Sequence, residues 1–254
     1  LPAHRSFLLA CGLADLLDYI RNLSFKKDDI AYLRSQKLFR EDFLRYLADF
    51  RFSGNIWALP EGTVFFANEP VVRVTAPIIE AQILESFFLN TINLQTMIAS
   101  KAARVVLAAR GRSVYDFSLR RTHGQDAGVK VARAAYLAGF DGTSNVLAGK
   151  IYKIPVAGTM AHSFVMSFSR EIDSFLAYSD LFPNKTILLV DTYDTLKGIR
   201  NAITVGLQLK KSGFILRGIR LDSGDIASLS RRARAMLDQA GLKEVKIFAS
   251  GNLD

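Results

Sequence analysis

The spacing of hydrophobic residues changes along the chain, and the change falls near residue 78. Apolar residues at helical intervals over 8–17 and 39–50 predict two helices, and Pro60-Glu61-Gly62 predicts a turn. The short runs 63–66 and 71–75 are rich in β-branched and aromatic residues, which indicates two strands joined by a tight turn. These elements predict a small α+β domain over residues 1–78.

Strand-like and helix-like segments alternate in the remaining residues, 79–254. Pro77 stands where a helix would begin, and the apolar segment that follows it predicts a buried helix or a pair of helices up to residue 109. Further strands are expected over 114–119, 144–147, 154–157, 186–190, 214–221 and 245–249. Further helices are expected over 128–138, from about 161, over 196–209 and over 226–240. This alternation predicts an α/β fold built from parallel β/α units, which we assign to a second domain.

Polar residues collect directly after several of the predicted strands. The clusters lie at 116–121, 158–162, 191–194, 220–225 and 250–252. Because the carboxyl ends of parallel strands meet on one face of a barrel or sheet, we expect these side chains to share a site. Several clusters in the same position are difficult to explain as ordinary loop chemistry.

These clusters supply arginines, carboxylates and a histidine. Arg120 and Arg220 suit phosphate or carboxylate ligands, because a guanidinium can form paired charge-assisted hydrogen bonds. Asp191 and Asp222 are candidates to contact Mg²⁺ or ribose hydroxyls. His162 has the chemistry of a general base or of a nucleophile that is phosphorylated transiently.

Structural roles for the same residues stay open from sequence. Asp225 or Ser223 fits the N-cap of the following helix, and Gly224 would let a backbone segment approach a phosphate closely. Arg120 could simply face solvent at a strand end. His162 could be a structural histidine, and the role of His123, in a polar loop, is undecided.

The charge balance is 33 basic against 24 acidic residues, a net charge of +9. The basic residues are scattered, which favours phosphorylated metabolites over nucleic acid as partners. Charged residues such as Glu80, Glu85, Lys101 and Arg104 interrupt the longest apolar segment, so no membrane span is expected. Cys11 is the only cysteine, which excludes an internal disulfide and fits a cytoplasmic protein.

Five motifs, in this order along the chain, resemble those of the nicotinate phosphoribosyltransferase family. They are Phe-Ser-Leu-Arg-Arg at 117–121, Gly-Phe-Asp-Gly-Thr-Ser-Asn-Val-Leu-Ala at 139–148, Pro-Val-Ala-Gly-Thr-Met-Ala-His-Ser at 155–163, Asp-Thr-Tyr-Asp-Thr at 191–195 and Gly-Ile-Arg-Leu-Asp-Ser-Gly-Asp at 218–225. The resemblance extends to residues 1–13 and 60–82, so it spans essentially the whole chain. Each motif alone is weak, but the ordered set is specific.

The resemblance implies a type II phosphoribosyltransferase fold, in which a small α+β domain accompanies an irregular β/α barrel that is incomplete in this chain. It implies an ATP-coupled ligase that joins nicotinate and 5-phosphoribosyl-1-diphosphate into nicotinate mononucleotide and diphosphate, the first step of NAD salvage from nicotinate. Mg²⁺ as cofactor, ATP as co-substrate and a cytoplasmic homodimer are implied with it.

The resemblance also implies residue roles. His162 matches the histidine that ATP phosphorylates, and Thr159 and Arg220 match nicotinate-contacting positions. Phe117 would offer its ring to the pyridine, with Arg120 nearby. Asp191, Asp222, Ser223 and Gly224 would lie near the ribose, the diphosphate or Mg²⁺.

Ser144 discriminates between two substrates. Relatives that use nicotinamide have an aspartate at the matching position, and its charge would repel the carboxylate of nicotinate. The serine therefore favours the acid. The alternatives are a phosphoribosyltransferase for nicotinamide or another pyridine, and an inactive fragment that binds a phosphometabolite.

Two family segments are not found in this chain. One is a Thr-Asp-x-Tyr segment expected before Leu1, and the other is a Gly-x-Gly-Thr phosphate loop expected after Asn252. We therefore expect the 254-residue chain to be weakly active or inactive by itself.

Overall fold

The computed structural model describes residues 5–251 and 253. The chain forms two compact units, Leu1–Ala157 and Gly158–Asp254, each with hydrophobic clusters of its own. The elements of the first unit are β1 (Leu8–Leu9), α1 (Leu13–Asn22), α2 (Lys27–Ser35), α3 (Glu41–Ala48), β2 (Asn55–Ala58), β3 (Val64–Phe65), β4 (Val72–Thr75), α4 (Ile78–Ala109), β5 (Tyr115–Asp116), a short 3-10 helix (Leu119–Arg121), α5 (Gln125–Leu137), β6 (Gly142–Thr143) and α6 (Val146–Tyr152). Those of the second are α7 (His162–Met166), α8 (Glu171–Leu181), β7 (Ile187–Leu189), α9 (Thr195–Lys211), β8 (Gly218–Leu221), α10 (Ile226–Gln239) and β9 (Lys246–Ala249). The predicted domain boundary between residues 78 and 79 stays a prediction.

The first predicted helix, over 8–17, is wrong in its first half. Leu8 and Leu9 form β1, which pairs antiparallel with β3, and α1 begins only at Leu13. Gly12 separates the two elements with a φ of 106°, a conformation that glycine adopts without steric cost. A Cβ at this position would lie 3.0 Å from the carbonyl oxygen of Thr91. The helix therefore cannot extend back into β1.

The free edge of β1 is satisfied by side chains of α4. The amide of Leu9 donates to Ser100 Oγ at 2.8 Å, and the amide of Cys11 donates to Thr96 Oγ1 at 3.3 Å. Alternate amides of a strand point to the same side, so two hydroxyls one helical turn apart on α4 can serve both. Thr96 and Ser100 are both buried, so these contacts also give their hydroxyls hydrogen-bond partners inside the protein.

The predicted hairpin of the runs 63–66 and 71–75 is also wrong. Both runs contain strands, but β3 pairs with β1, whereas β4 pairs antiparallel with β2, from Asn55 opposite Thr75 to Ala58 opposite Val72. Val72 and Val74 pack with Leu16, Leu84 and Phe88 in one hydrophobic cluster. β4 thus pairs with a strand whose Ile56 belongs to the same cluster, and the sequence pattern does not predict that strand, β2.

A half-buried ion pair connects the predicted turn at residue 61 to helix α5. Arg133 Nη1 and Nη2 bind Glu61 Oε1 and Oε2 at 2.9 and 2.6 Å, and Glu61 Oε1 also accepts the amide of Gly12 at 2.7 Å. Burial alone would raise the pKa of Glu61, but the hydrogen bonds from Arg133 and Gly12 outweigh it and lower the pKa. The carboxylate thus stays charged. Beside it, burial raises the pKa of the Cys11 thiol to about 12.

The strand predicted over 144–147 is wrong. The strand in this region is β6, which pairs in parallel with β5, and Val146 already begins α6. Asn145 caps that helix, because its Oδ1 accepts the amide of Ala148 at 3.1 Å. The strand predicted over 154–157 is reduced to one bridge, between Thr143 and Val156.

The second unit confirms the parallel β/α prediction. Its strands lie in the order β7-β8-β9 with parallel pairing, and α9 and α10 connect them in turn. The middle strand β8 is buried along its whole length. The α4 helix predicted after Pro77 is likewise confirmed, as one unbroken helix.

The α4–β1 contact yields a stability prediction. Ser100→Ala should destabilise the protein by about 1–3 kcal/mol, because the buried amide of Leu9 loses its acceptor. Ser86→Ala, at an exposed position of the same helix, is the control and should change stability by less than about 0.5 kcal/mol. Denaturant unfolding of both variants measures the difference. Equal losses in the two would contradict the assigned role of Ser100.

Candidate active site

Two strand ends of the second unit are joined through the carboxylate of Asp191, which follows β7. Its Oδ2 accepts the amide of Asp222 and the hydroxyl of Ser223, both at 2.7 Å. Asp191 is 7% exposed, and its Oδ1 has no hydrogen-bond partner among the described residues. The carboxylate therefore holds the loop after β8 against the end of β7.

Arg220 is the centre of the second group of contacts, although only 9% of its surface is exposed. Its Nη1 donates to Thr159 Oγ1 at 2.9 Å, its Nη2 to Asp222 Oδ1 at 2.7 Å and its Nε to Ser250 Oγ at 2.8 Å. The three acceptors come from three separate segments of the unit. The guanidinium plane is thereby fixed, which is the preorganisation that recognition of a planar anion requires.

Asp222 is charged at neutral pH. Burial by itself would raise its pKa, but hydrogen bonds from Ser250 and Arg220 outweigh this effect and lower the pKa. The hydroxyl of Ser250 makes a short hydrogen bond to Asp222 Oδ1. Ser250 thus contacts both members of the Arg220–Asp222 ion pair.

His162 is the first residue of α7 and lies next to this ion pair. Its Nε2 is 3.4 Å from Asp222 Oδ2, and its Nδ1 is 3.1 Å from Thr192 Oγ1. The side chain is 38% exposed, so the ring is held at both nitrogens yet open to solvent. A carboxylate at Nε2 favours the tautomer with its proton there, and this leaves a lone pair on Nδ1.

The candidate residues of the first unit lie at the ends of β5 and β6. Phe117 directly follows β5 and Ser144 directly follows β6, and both are half-buried. Arg120 is exposed in the short 3-10 helix. The amide of Ser144 donates to the carbonyl of Asp116 at 2.8 Å, which joins the two strand ends.

Two aspartates of the predicted clusters have structural roles. Asp194 Oδ1 accepts the amide of Lys197 at 2.7 Å and caps α9, and Asp225 Oδ1 accepts the amide of Ser228 at 3.0 Å and caps α10. The N-cap alternative is therefore confirmed for Asp225. Ser223 instead binds Asp191, and Gly224 has a φ of 75° in the same loop.

Sequence reasoning did not select Thr192 or Ser250 as site residues. Both lie in the polar clusters after predicted strands, and that position was the available signal. Because threonine and serine are uncharged, nothing else in the sequence indicates that their hydroxyls contact a histidine or an arginine.

A further buried carboxyl belongs to Glu171, the first residue of α8. Its Oε2 accepts Asn201 Nδ2 at 2.9 Å, while its Oε1 is buried with no partner among the described residues. Burial raises the pKa of Glu171, and Asp194 and Asp191 raise it further, against lowering by Asn201 and Lys197.

Over residues 5–251 and 253, His, Cys, Asp and Glu side chains form no group of three or more arranged to hold a metal ion. In the same part of the chain, no helix combines the length and apolar character needed to cross a membrane.

Comparison with known families gives two matches. The profile of the nicotinate phosphoribosyltransferase (NAPRTase) N-terminal domain matches residues 1–93, and that of the NAPRTase family matches residues 112–250. The chain belongs to the nicotinate phosphoribosyltransferase family.

Individual relatives agree with this assignment. The chain is 55% identical to nicotinate phosphoribosyltransferase pncB2 of Mycobacterium tuberculosis over 254 residues, which are 100% of this chain and 54% of the relative. It is 43% identical to the nicotinate phosphoribosyltransferase of Bacillus subtilis over 256 residues, covering 100% of this chain and 52% of that protein. The chain thus spans about half the length of the curated relatives that it matches.

Solved structures show the same fold. Human nicotinic acid phosphoribosyltransferase matches with a TM-score of 0.87 at 30% identity, over 100% of this chain and 62% of the human chain. Nicotinate-nucleotide pyrophosphorylase from Pyrococcus furiosus matches with a TM-score of 0.79 at 25% identity, over 100% and 58% of the two chains. The α/β class and the likeness to type II phosphoribosyltransferases are confirmed.

The raised pKa of Glu171 predicts a pH-dependent stability difference. A carboxyl whose folded pKa lies above its unfolded value weakens the fold as pH rises through that range. Glu171→Gln should therefore raise the midpoint of thermal unfolding at pH 7 by about 2 °C, and the gain should disappear below about pH 4. Glu244→Gln, at an exposed position, should show no such dependence. A constant difference across pH would contradict this reasoning.

Proposed function

We propose that the protein expressed from its complete gene is a nicotinate phosphoribosyltransferase in NAD biosynthesis. It would join nicotinate and 5-phosphoribosyl-1-diphosphate into nicotinate mononucleotide and diphosphate. The observation that carries the proposal is the buried guanidinium of Arg220, fixed beside the hydroxyl of Thr159. A preorganised guanidinium suits the planar carboxylate of nicotinate through paired charge-assisted hydrogen bonds.

The donor requires groups that bind ribose hydroxyls and a magnesium-bound diphosphate, for which the loop after β8 is the candidate. We assign Asp222, Ser223 and Gly224 to the ribose and diphosphate, with Mg²⁺ as the cofactor. Magnesium in such sites is held by one or two carboxylates together with substrate phosphates. Asp191 and Asp222 are both candidates for that contact, because Asp222 is the more exposed carboxylate and Asp191 keeps a buried Oδ1 without a hydrogen-bond partner among the described residues. Bound Mg²⁺ would neutralise charge on the diphosphate leaving group.

His162 is assigned as the site that ATP phosphorylates. In this step the γ-phosphoryl group moves from ATP to a ring nitrogen and leaves ADP, and water later removes it as phosphate. The contacts of His162 with Asp222 and Thr192 support a nucleophilic ring, because a carboxylate that accepts the proton of one nitrogen leaves the other with its lone pair. Phosphohistidine would place new negative charge beside Asp222 and so change the affinity for donor and product.

The remaining assignments follow from the family resemblance. Phe117 would offer its ring to the pyridine, Arg120 would contribute positive charge, and Ser144 would favour nicotinate over nicotinamide. A homodimer in the cytoplasm completes the proposal. A phosphoribosyltransferase for nicotinamide is the runner-up, and it is disfavoured by the serine at position 144.

Substrate competition tests the proposed reaction. With both pyridines present, the enzyme should form nicotinate mononucleotide at least about tenfold faster than the nicotinamide product. Ser144→Asp should shift this ratio towards nicotinamide, because the added carboxylate repels nicotinate and can accept from an amide. Chromatographic separation of the two mononucleotides measures the ratio. A wild-type preference for nicotinamide would refute the substrate assignment.

ATP coupling is tested with His162→Asn. The variant should lose both the incorporation of phosphate from γ-labelled ATP and the stimulation of product formation by ATP. His123→Asn, at an exposed position, should retain both. Undiminished labelling of the His162 variant would remove this residue from the phosphorylation step.

A further inference from the structure

Asp116 is a buried carboxylate to which the proposed function gives no task. It ends strand β5 and is 5% exposed. Its Oδ1 accepts both the amide and the hydroxyl of Ser118, at 3.0 and 2.6 Å. Its Oδ2 accepts the hydroxyl of Thr143 at 2.7 Å. Burying a carboxylate costs free energy, and here three hydrogen bonds from neutral donors offset that cost.

Thr143 extends this network along the neighbouring strand. It ends β6, is fully buried, and its Oγ1 accepts the amide of Asn145 at 3.0 Å. The hydroxyl thus donates to Asp116 and accepts from Asn145 at once. The carbonyl of Asp116 meanwhile accepts the amide of Ser144 at 2.8 Å.

The network encloses two residues that the proposed function assigns to the pyridine. Phe117 lies between Asp116 and Ser118, whose amide and hydroxyl donate hydrogen bonds to the carboxylate of Asp116. Ser144 lies between Thr143 and Asn145, and the amide of Asn145 donates a hydrogen bond to the hydroxyl of Thr143. The backbone on both sides of Phe117 and of Ser144 is therefore fixed by hydrogen bonds. The Asp116–Thr143 hydrogen bond connects these two fixed segments.

We infer that Asp116 is a positioning residue, which sets the placement of Phe117 relative to Ser144 and thereby the affinity for the pyridine acid. The inference rests on the proposed function. A carboxylate suits this task because it only accepts hydrogen bonds, and all three neighbouring groups donate to it. An amide of the same shape would present N–H groups to one of those donors. Asp116 is not required to touch the substrate.

The test is Asp116→Asn in the protein expressed from its complete gene, with Asp141→Asn as the matched control. Asp141 is exposed, precedes β6, and its Oδ2 accepts the amide of Val114 at 2.8 Å, so it joins the same two strands at their opposite ends. For Asp116→Asn we expect the KM for nicotinate to rise at least about tenfold, and the KM for 5-phosphoribosyl-1-diphosphate to change less than about twofold. Asp141→Asn should leave both constants within about twofold of wild type.

A second pair of variants covers the case in which Asp116→Asn does not fold. Thr143→Ser keeps the hydroxyl and should retain the wild-type KM for nicotinate, whereas Thr143→Val removes it and should raise that KM as Asp116→Asn does. Equal changes in both KM values, or a loss of kcat alone, would overturn the positioning role. A wild-type enzyme that forms no nicotinate mononucleotide would refute the proposed function and this inference together. An active enzyme whose KM for nicotinate is unchanged by Asp116→Asn and Thr143→Val would refute the inference alone.

Discussion

The charge of Arg220, buried at the end of the middle strand of a parallel sheet, sets the arrangement of the second unit. An unpaired guanidinium at such a depth would cost several kcal/mol, so its neighbours must supply acceptors. Thr159, Asp222 and Ser250 do so from three different segments. Asp222 in turn requires a fixed loop, and Asp191 fixes it. The order at the end of this sheet is thus a consequence of one buried charge.

The same requirement appears in the first unit in a neutral form. There the groups that need partners are backbone amides at the edge of the short strand β1, and the hydroxyls of Thr96 and Ser100 accept hydrogen bonds from them. A two-residue strand has little stability of its own, so the long helix beside it supplies what a further strand would otherwise provide. The ion pair between Glu61 and Arg133 then secures the turn next to it.

Sequence pattern predicted the second unit well, because β7 and β8 are each followed by a helix and the connections are local. It failed in the first unit where the outcome depended on distant partners. Residues 63–66 and 71–75 have the composition of a hairpin, but the pattern holds no information about β2 or about the edge offered by β1. At the site, charged residues after strands were identifiable, as with Arg220 and Asp222. Asp116 belongs to the cluster at 116–121, but its positioning role depends on hydrogen bonds from neutral neighbours, which leave no charge pattern in the sequence.

The burial of Cys11 has a practical consequence for work on this chain. Burial raises the pKa of the Cys11 thiol to about 12, so the thiol is protonated at neutral pH, and the residue is only 2% exposed. Maleimide and iodoacetamide reagents react through an accessible thiolate. We therefore expect Cys11 in the folded chain to react very slowly with these reagents. A single cysteine introduced at an exposed position would then carry a fluorophore or spin label without prior removal of Cys11.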